Sequence, residues 1–201
     1  MERVNNRWRD GARLLSGFIN MGNTCFLNSS LQCLLHTPAL YNILITLNNN
    51  NRQGKIFTTL RNIGYVVPQL TVTLLRNKST LDQHKFDSLT ALAKILRQSQ
   101  NQGPKHPMRP AEVVYNIKKI GSHFMHGRQE CAHEFTRLFM DSLLRSSVNG
   151  KGKLDKYEEA TTLPHRIFGG WTRSRVTCMN CRHNSDTYES FLDMPLEIKV
   201  R

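Results

Sequence analysis

The sequence predicts an α+β fold in which helices come first and strands follow. Three observations carry that expectation. Apolar residues recur at helical spacing in separate runs between Leu27 and Leu143, divided by clusters of Gly, Pro and Asn. After Thr161 the period shortens to two, and Leu192, Met194, Leu196 and Ile198 alternate with polar or proline positions. Helices grouped ahead of strands, rather than alternating with them, mark the α+β class.

Residues 1–16 are basic and polar and read as a flexible lead-in without the apolar core of a secretory signal. In the next run Leu27, Leu31, Leu34 and Leu35 share one helical face, and Thr37-Pro38 ends it, because the residue before proline is pushed out of the α region. A second apolar segment covers 40–47, and the polar stretch 48–54 reads as a loop. Residues 55–77 are rich in Ile, Val, Leu and Thr and ambiguous in type, with 66–75 strand-like by composition. A helix is expected over 82–98, with Phe86, Leu89, Ala93 and Leu96 as its stripe, followed by a loop over 98–107. Pro110 suits a first helical position; Val113, Val114, Ile117 and Ile120 then line one face and Gly121 suits the end. Ala132, Phe135, Phe139 and Leu143 predict a helix over 129–148, closed by Asn149-Gly150 and followed by a charged, exposed stretch over 151–160. Residues 171–177 form a strand candidate before a Cys178-x-x-Cys181 turn. No internal repeat is visible.

At 201 residues the chain can bury a sizeable core in one or two domains. Its apolar content, 39%, is that of a globular protein, and no run approaches the roughly 20 apolar residues of a membrane span. Five cysteines, an odd number with two in a CxxC, suit a reducing compartment better than a disulfide scaffold. The net charge is +13, and residues 11–81 hold six Lys or Arg and no Asp or Glu. Such a surface allows nucleic acid as a partner, but the basic residues are scattered, without interleaved aromatics, and read better as a solvated face.

The chemistry gathers at Cys25. It follows the turn Gly22-Asn23-Thr24 and opens a helical run, with Asn23 or Thr24 as N-cap candidate. A thiol in the first turn of a helix meets unpaired N–H groups that favour the thiolate and can also hold an oxyanion. Asn20 can aim a side-chain amide at the same spot. By position alone the commoner reading of such a residue is an inert core thiol. Cys178 and Cys181 have the spacing of half a zinc ribbon, with His183 a conceivable third donor; a redox CxxC is the other reading, without the strand-to-helix setting it uses. Among eight histidines, His165 follows Cys25 by 140 residues, near the spacing of about 130–150 seen in some cysteine proteases.

Three blocks carry a resemblance to a known family. Residues 17–28, GFINMGNTCFLN, resemble the cysteine box of the ubiquitin-specific proteases, a papain-like family of deubiquitinases. Residues 127–135, GRQECAHEF, resemble its second box. Residues 161–198, with HRIFGGWTRSRVTCMNC and SDTYESFLDMPLEI, resemble the entry into its zinc-bearing fingers. The blocks keep the family's order and are most similar to its nuclear and nucleolar members of the thirty-six and forty-two type.

The resemblance implies a papain-like cysteine peptidase fold: a helical thumb over 17–160, then the start of a β-rich fingers region over 161–201. It implies Cys25 as nucleophile, Asn20 as oxyanion donor, and Gln129 and Glu134 beside the basic tail of ubiquitin. It also implies Cys178 and Cys181 as half of a structural zinc site, and a setting in the nucleus, with the nucleolus and cytoplasm as further places. The expected partners are ubiquitin and ubiquitinated proteins, and no membrane. Cys131 stands where the family's second box has Asp. His165 falls in the segment entering the fingers, and no counterpart of the family's catalytic histidine lies before Arg201, so the palm that carries it is expected to be missing. The resulting expectation is a cysteine deubiquitinase. The alternative is a truncated or inactive copy that binds ubiquitin without cleaving it.

Overall fold

The computed structural model describes residues 6–8, 14–49, 86–148 and 154–197. Among these, eight helices precede one antiparallel hairpin: α1 Cys25–Leu35, α2 Pro38–Asn49, α3 Ser88–Gln102, α4 Ala111–Tyr115, α5 Ile117–Ile120, α6 Ala132–Val148, α7 Lys156–Ala160, α8 Leu163–Phe168, β1 Gly170–Thr177 and β2 Asn184–Phe191. The ambiguous region 55–77 lies outside the described residues. No described helix is long and apolar enough to cross a membrane.

The core forms where the apolar stripes meet. Leu27, Leu31, Leu34 and Leu35 of α1 are buried as their spacing requires, and α1 packs on α6. α1 ends at Leu35, before Thr37-Pro38 as expected, and Pro38 starts α2 at once, where a missing N–H costs no helical bond. α2 reaches Asn49, past the point where a loop was expected, and packs on α3, with its Leu40 and Leu44 buried.

α3 starts at Ser88, after a cap, rather than at 82. Asp87 accepts from the N–H groups of Leu89 (3.0 Å) and Thr90 (3.2 Å), so Phe86 lies before the helix and packs against the core from outside it. Its polar last turn runs to Gln102, beyond 98, and Gly103 at φ +75° stops it. The helix expected from Pro110 is broken at Asn116, whose Nδ2 donates to the Glu112 carbonyl at 2.8 Å; Pro110 is the cap and Ala111 the first residue. Val113, Val114, Ile117 and Ile120 are all buried. Gly121 follows α5, but in extended backbone. It is glycine because a Cβ there would lie 2.8 Å from both Leu138 Cδ1 and Phe124 Cε2. α6 begins at Ala132 rather than 129, and Ala132 is exposed while Phe135, Phe139 and Leu143 face the core.

The strands depart most from expectation. β1 covers the predicted 171–177 and pairs with β2 from Gly170↔Phe191 to Thr177↔Asn184. The alternation of Leu192, Met194 and Leu196 is not a strand: these residues form a bend and irregular chain, with Met194 and Leu196 exposed, and Ile198 is outside the described residues. Likewise 163–168, expected within the period-two region, is helix α8, with proline in its first turn.

α8 buries His165. Thr162 Oγ1 donates to the Glu159 carbonyl at 2.6 Å, so its lone pair faces His165 Nδ1 at 3.2 Å, while Nε2 stands 3.7 Å from the Glu159 carboxylate. Burial lowers the imidazole's pKa below its ordinary 6.5, against the opposing pull of Glu159 and Asp141. A histidine depressed by folding supports the fold while neutral; its contribution is complete above the unfolded pKa and is lost as pH falls through the folded one. The thermal midpoint should therefore drop as pH falls below about 6.5. His165→Gln should flatten that drop, measured by thermal unfolding between about pH 5 and 8. Equal slopes for the two proteins would count against it.

Candidate active site

Cys25 is the first residue of α1, and its side chain is exposed. Thr24 is the N-cap residue, but its hydroxyl does not cap the helix; Oγ1 instead accepts from Met21 N–H at 2.9 Å. The turn is organised by Asn20. Its Oδ1 accepts from the N–H groups of Gly22 (3.1 Å) and Thr24 (3.0 Å) and from Thr24 Oγ1 (3.2 Å). Two backbone donors converging on one atom identify that atom as oxygen, which leaves Nδ2 as the group with hydrogens to give. Gly22 at φ +94° and Asn23 at φ +53° make the sharp reversal that presents Cys25.

The second segment stands beside the first. Asn23 Nδ2 donates to the Gly127 carbonyl at 2.8 Å, and Ser30 Oγ accepts from Thr136 Oγ1 at 2.9 Å. Phe26 and Phe135 meet edge to face with ring centroids 5.6 Å apart. A groove of about 320 Å³ runs behind the Cys25 turn, between Met21, Thr24 and Phe26 on one side and Val114, Tyr115 and Met125 on the other.

Glu134 lies in the first turn of α6, half-exposed, with Oε1 3.2 Å from His123 Nε2. The sequence reading missed His123. Gln129 is exposed in the approach to α6. His133 Nε2 is 3.2 Å from Asp193 Oδ2 beyond β2. Cys131 takes the capping position: its carbonyl accepts from Phe135 N–H at 3.0 Å. No histidine among the described residues hydrogen-bonds Cys25; His165 is occupied by Thr162 and Glu159.

Cys178 and Cys181 sit in the β1–β2 turn, where Cys178 N–H donates to the His183 carbonyl at 2.8 Å. The backbone N–H groups of Cys181 and then Asn180 reach the Cys178 sulfur and lower its pKa. Donors aimed at sulfur favour thiolate, so the turn fits half of a zinc knuckle. No group of three or more metal-ligating side chains occurs among the described residues, so His183 is not gathered with the pair.

The family model described as ubiquitin carboxyl-terminal hydrolase matches residues 16–197. The chain belongs to this family. It is 34% identical to human ubiquitin carboxyl-terminal hydrolase 42 over 199 residues, covering 99% of this chain and 13% of that protein. Ubiquitin carboxyl-terminal hydrolase 36 of Drosophila pseudoobscura pseudoobscura is 33% identical over 205 residues, covering 98% of this chain and 17% of that one. Human ubiquitin carboxyl-terminal hydrolase 17-like protein 6 is 32% identical over 193 residues, covering 96% and 39% respectively. The chain thus spans well under half the length of these relatives. Among solved structures, the SAGA Ubp8/Sgf11/Sus1/Sgf73 DUB module bound to ubiquitin aldehyde aligns with TM-score 0.57 and 23% identity, over 89% of this chain and 34% of that one. At that identity the likeness is one of fold, and it places the helices and hairpin in the family's α+β, papain-like architecture.

The capping position of α6 yields a prediction. A thiol is a poor acceptor for the helix's first N–H groups, whereas Asp caps them and adds charge where the helix dipole favours it. Cys131→Asp should raise unfolding stability by about 1 kcal/mol in urea titration. An unchanged or lower midpoint would show that residue 131 does not cap α6.

Proposed function

We propose that this chain carries the nucleophile and tail-binding segments of a cysteine deubiquitinase, which cleaves the bond after the C-terminal glycine of ubiquitin. The observation that supports it is Cys25, exposed at the head of an 11-residue helix behind a turn shaped by Asn20. In this reading the Cys25 thiolate attacks the glycine carbonyl. The resulting oxyanion is held by backbone N–H groups at the start of α1 and by Asn20 Nδ2. Glu134, with Gln129 nearby, meets an arginine of the ubiquitin tail, where a charge-assisted pair is strongest once water is thinned out. In the family the general base is a histidine of the palm region; among the described residues no histidine hydrogen-bonds Cys25, and His165, held by Thr162 and Glu159, is not assigned that role. The setting proposed is the nucleus, with a nucleolar and cytoplasmic share, which the +13 charge suits.

The test is reaction with ubiquitin bearing a C-terminal electrophile. One covalent adduct should form, at Cys25, and Cys25→Ala should abolish it. An adduct on Cys33 or Cys131 instead would remove the nucleophile assignment. A second reading, ubiquitin binding without cleavage, is favoured by Cys131 in place of the family's Asp. It gives measurable binding and no adduct.

Cys178 and Cys181 are proposed as two of the four ligands of a structural zinc, which supplies no step of the chemistry. Two thiolates leave half of a tetrahedral site to other donors, so affinity should be weak. Metal analysis of the purified chain should find well under one zinc per chain. Stoichiometric zinc that survives a chelator would require two further protein donors.

A further inference from the structure

Thr24 is the N-cap residue of α1, where a threonine hydroxyl ordinarily accepts from an N–H group of the helix's first turn. Here it makes no capping bond. Oγ1 is turned back to the preceding residues, accepting from Met21 N–H at 2.9 Å and donating to Asn20 Oδ1 at 3.2 Å. The first N–H groups of α1, beside Cys25, are thereby left without the cap that Thr24 could give. Oδ1 also accepts from the N–H groups of Gly22 at 3.1 Å and Thr24 at 3.0 Å, so three donors meet on one atom. Turned over, the Asn20 amide would set its own N–H groups against those two backbone donors and deprive the Thr24 hydroxyl of its acceptor. The two side chains differ in freedom. Asn20 is exposed, whereas Thr24 is only 5% exposed. A buried, β-branched side chain is stiff at χ1, so the hydroxyl is the fixed point and the amide the movable partner.

We propose that Thr24 is a positioning residue for the oxyanion site beside Cys25. Its hydroxyl forgoes the cap of α1 and holds the Asn20 amide by Oδ1, with Nδ2 left to donate to the oxygen of the attacked carbonyl. This rests on the deubiquitinase reading and deepens it. An asparagine held in this way meets the oxyanion without first losing side-chain freedom, and the N–H groups of α1 that Thr24 does not cap serve the same oxygen. Valine has threonine's shape without the hydroxyl. It leaves Asn20 with its two backbone donors and takes the acceptor from Met21 N–H. Serine keeps the hydroxyl on a less restricted χ1.

The experiment sets two ubiquitins altered at the C-terminus against the wild-type chain, Thr24→Val, Thr24→Ser, Asn20→Ala and the double variant Thr24→Val/Asn20→Ala. With a C-terminal aldehyde, the Cys25 sulfur bonds to the carbonyl carbon, the C=O π pair moves to the oxygen, and the thiol's proton ends on that oxygen. Its affinity, by calorimetry, reads the donors around the oxygen. With a C-terminal bromoethyl amide, sulfur bonds to carbon, the C–Br bond breaks, bromide leaves with the electron pair, and the thiol's proton goes to water. No oxygen gains charge at the reacting carbon, so this rate, by intact mass, reads the thiol and ubiquitin binding alone. Thr24→Val should weaken aldehyde binding about ten-fold more than it slows the bromide reaction, a fraction of the roughly 10²–10³-fold cost of losing an oxyanion donor outright. Thr24→Ser should keep most of the wild-type ratio. In the Asn20→Ala background Thr24→Val should leave the ratio unmoved. A merely structural role would lower both readings together and leave the ratio unmoved in either background. An unmoved ratio in Thr24→Val, a ratio that serine does not restore, or an equal shift without Asn20 overturns the proposal. So does a wild-type chain that is alkylated by the bromide and does not hold the aldehyde. A wild-type chain that reacts with neither ubiquitin overturns the deubiquitinase reading and this proposal with it. Reaction with both, at a ratio indifferent to Thr24, overturns this proposal alone.

Discussion

The ring of Phe135 is the contact on which both functional segments depend. It stands 5.6 Å edge-on from Phe26, 5.5 Å stacked on Phe139 and 6.1 Å from Phe124. Three of these four rings sit beside a residue of the candidate site in sequence. Phe26 follows Cys25, Phe135 follows Glu134, and Phe124 follows His123. In α1 and α6 adjacent residues point about 100° apart, so burying Phe26 and Phe135 turns Cys25 and Glu134 outward at a defined angle, while His123 and Phe124 lie in a turn outside any helix. One aromatic cluster thereby fixes Cys25, Glu134 and His123 relative to one another. A ring buried this fully is worth about 3–5 kcal/mol against alanine, far more than any hydrogen bond in the site.

Around the cluster a seam of short polar contacts sets the register. Ser30 Oγ donates to the Phe26 carbonyl at 2.8 Å and accepts from Thr136, which ties α1 to α6 one turn below Cys25. Gln32 Nε2 donates to the Ser16 carbonyl at 2.8 Å, and Ile19 and Gly17 exchange backbone bonds with Met108. The segment entering the Cys25 turn is thus held along its length before Asn20 bends it. Apolar packing alone tolerates small slips; these bonds do not, because a displaced buried donor or acceptor is left unsatisfied. For a nucleophile, a displacement of about 1 Å is enough to lose much of the rate.

Much of this was legible in the sequence, for identifiable reasons. Stripes such as Leu27, Leu31, Leu35 and Phe135, Phe139, Leu143 have one buried face, and periodicity reports burial. The Cys25 turn was legible because its glycine, asparagine and threonine occupy adjacent positions. β2 was not: Asn184 to Ser190 is polar on both faces, so no alternation marks it, while Leu192, Met194 and Leu196 alternate with nothing to pair against. The start of α3 was obscured because Phe86 continues the stripe across the cap at Asp87. His123 could not be found at all, since its approach to Glu134 depends on how Gly121 and Phe124 pack, which no local pattern records.

The hairpin shows what a sheet does without a core of its own. Its strands are exposed on both faces save near the root, and two strands alone are marginal in water. It is secured in three places. At the root, Gly170 admits the Phe191 ring where a Cβ would stand 2.6 Å from it, and Asp193 reaches His133. Midway, Arg175 grips Asp186 through two bonds of 2.7 Å, which lowers the carboxyl's pKa. At the tip, only the thiol turn and the Thr177–Asn184 side-chain bond close the ladder. The tip lies farthest from the apolar core that orders the rest. A metal held by Cys178 and Cys181 would therefore stabilise the hairpin at its least supported end, and the physical reason for such a site is mechanical. The Cys25 turn, shaped by Asn20 and anchored through Phe26, does not depend on it.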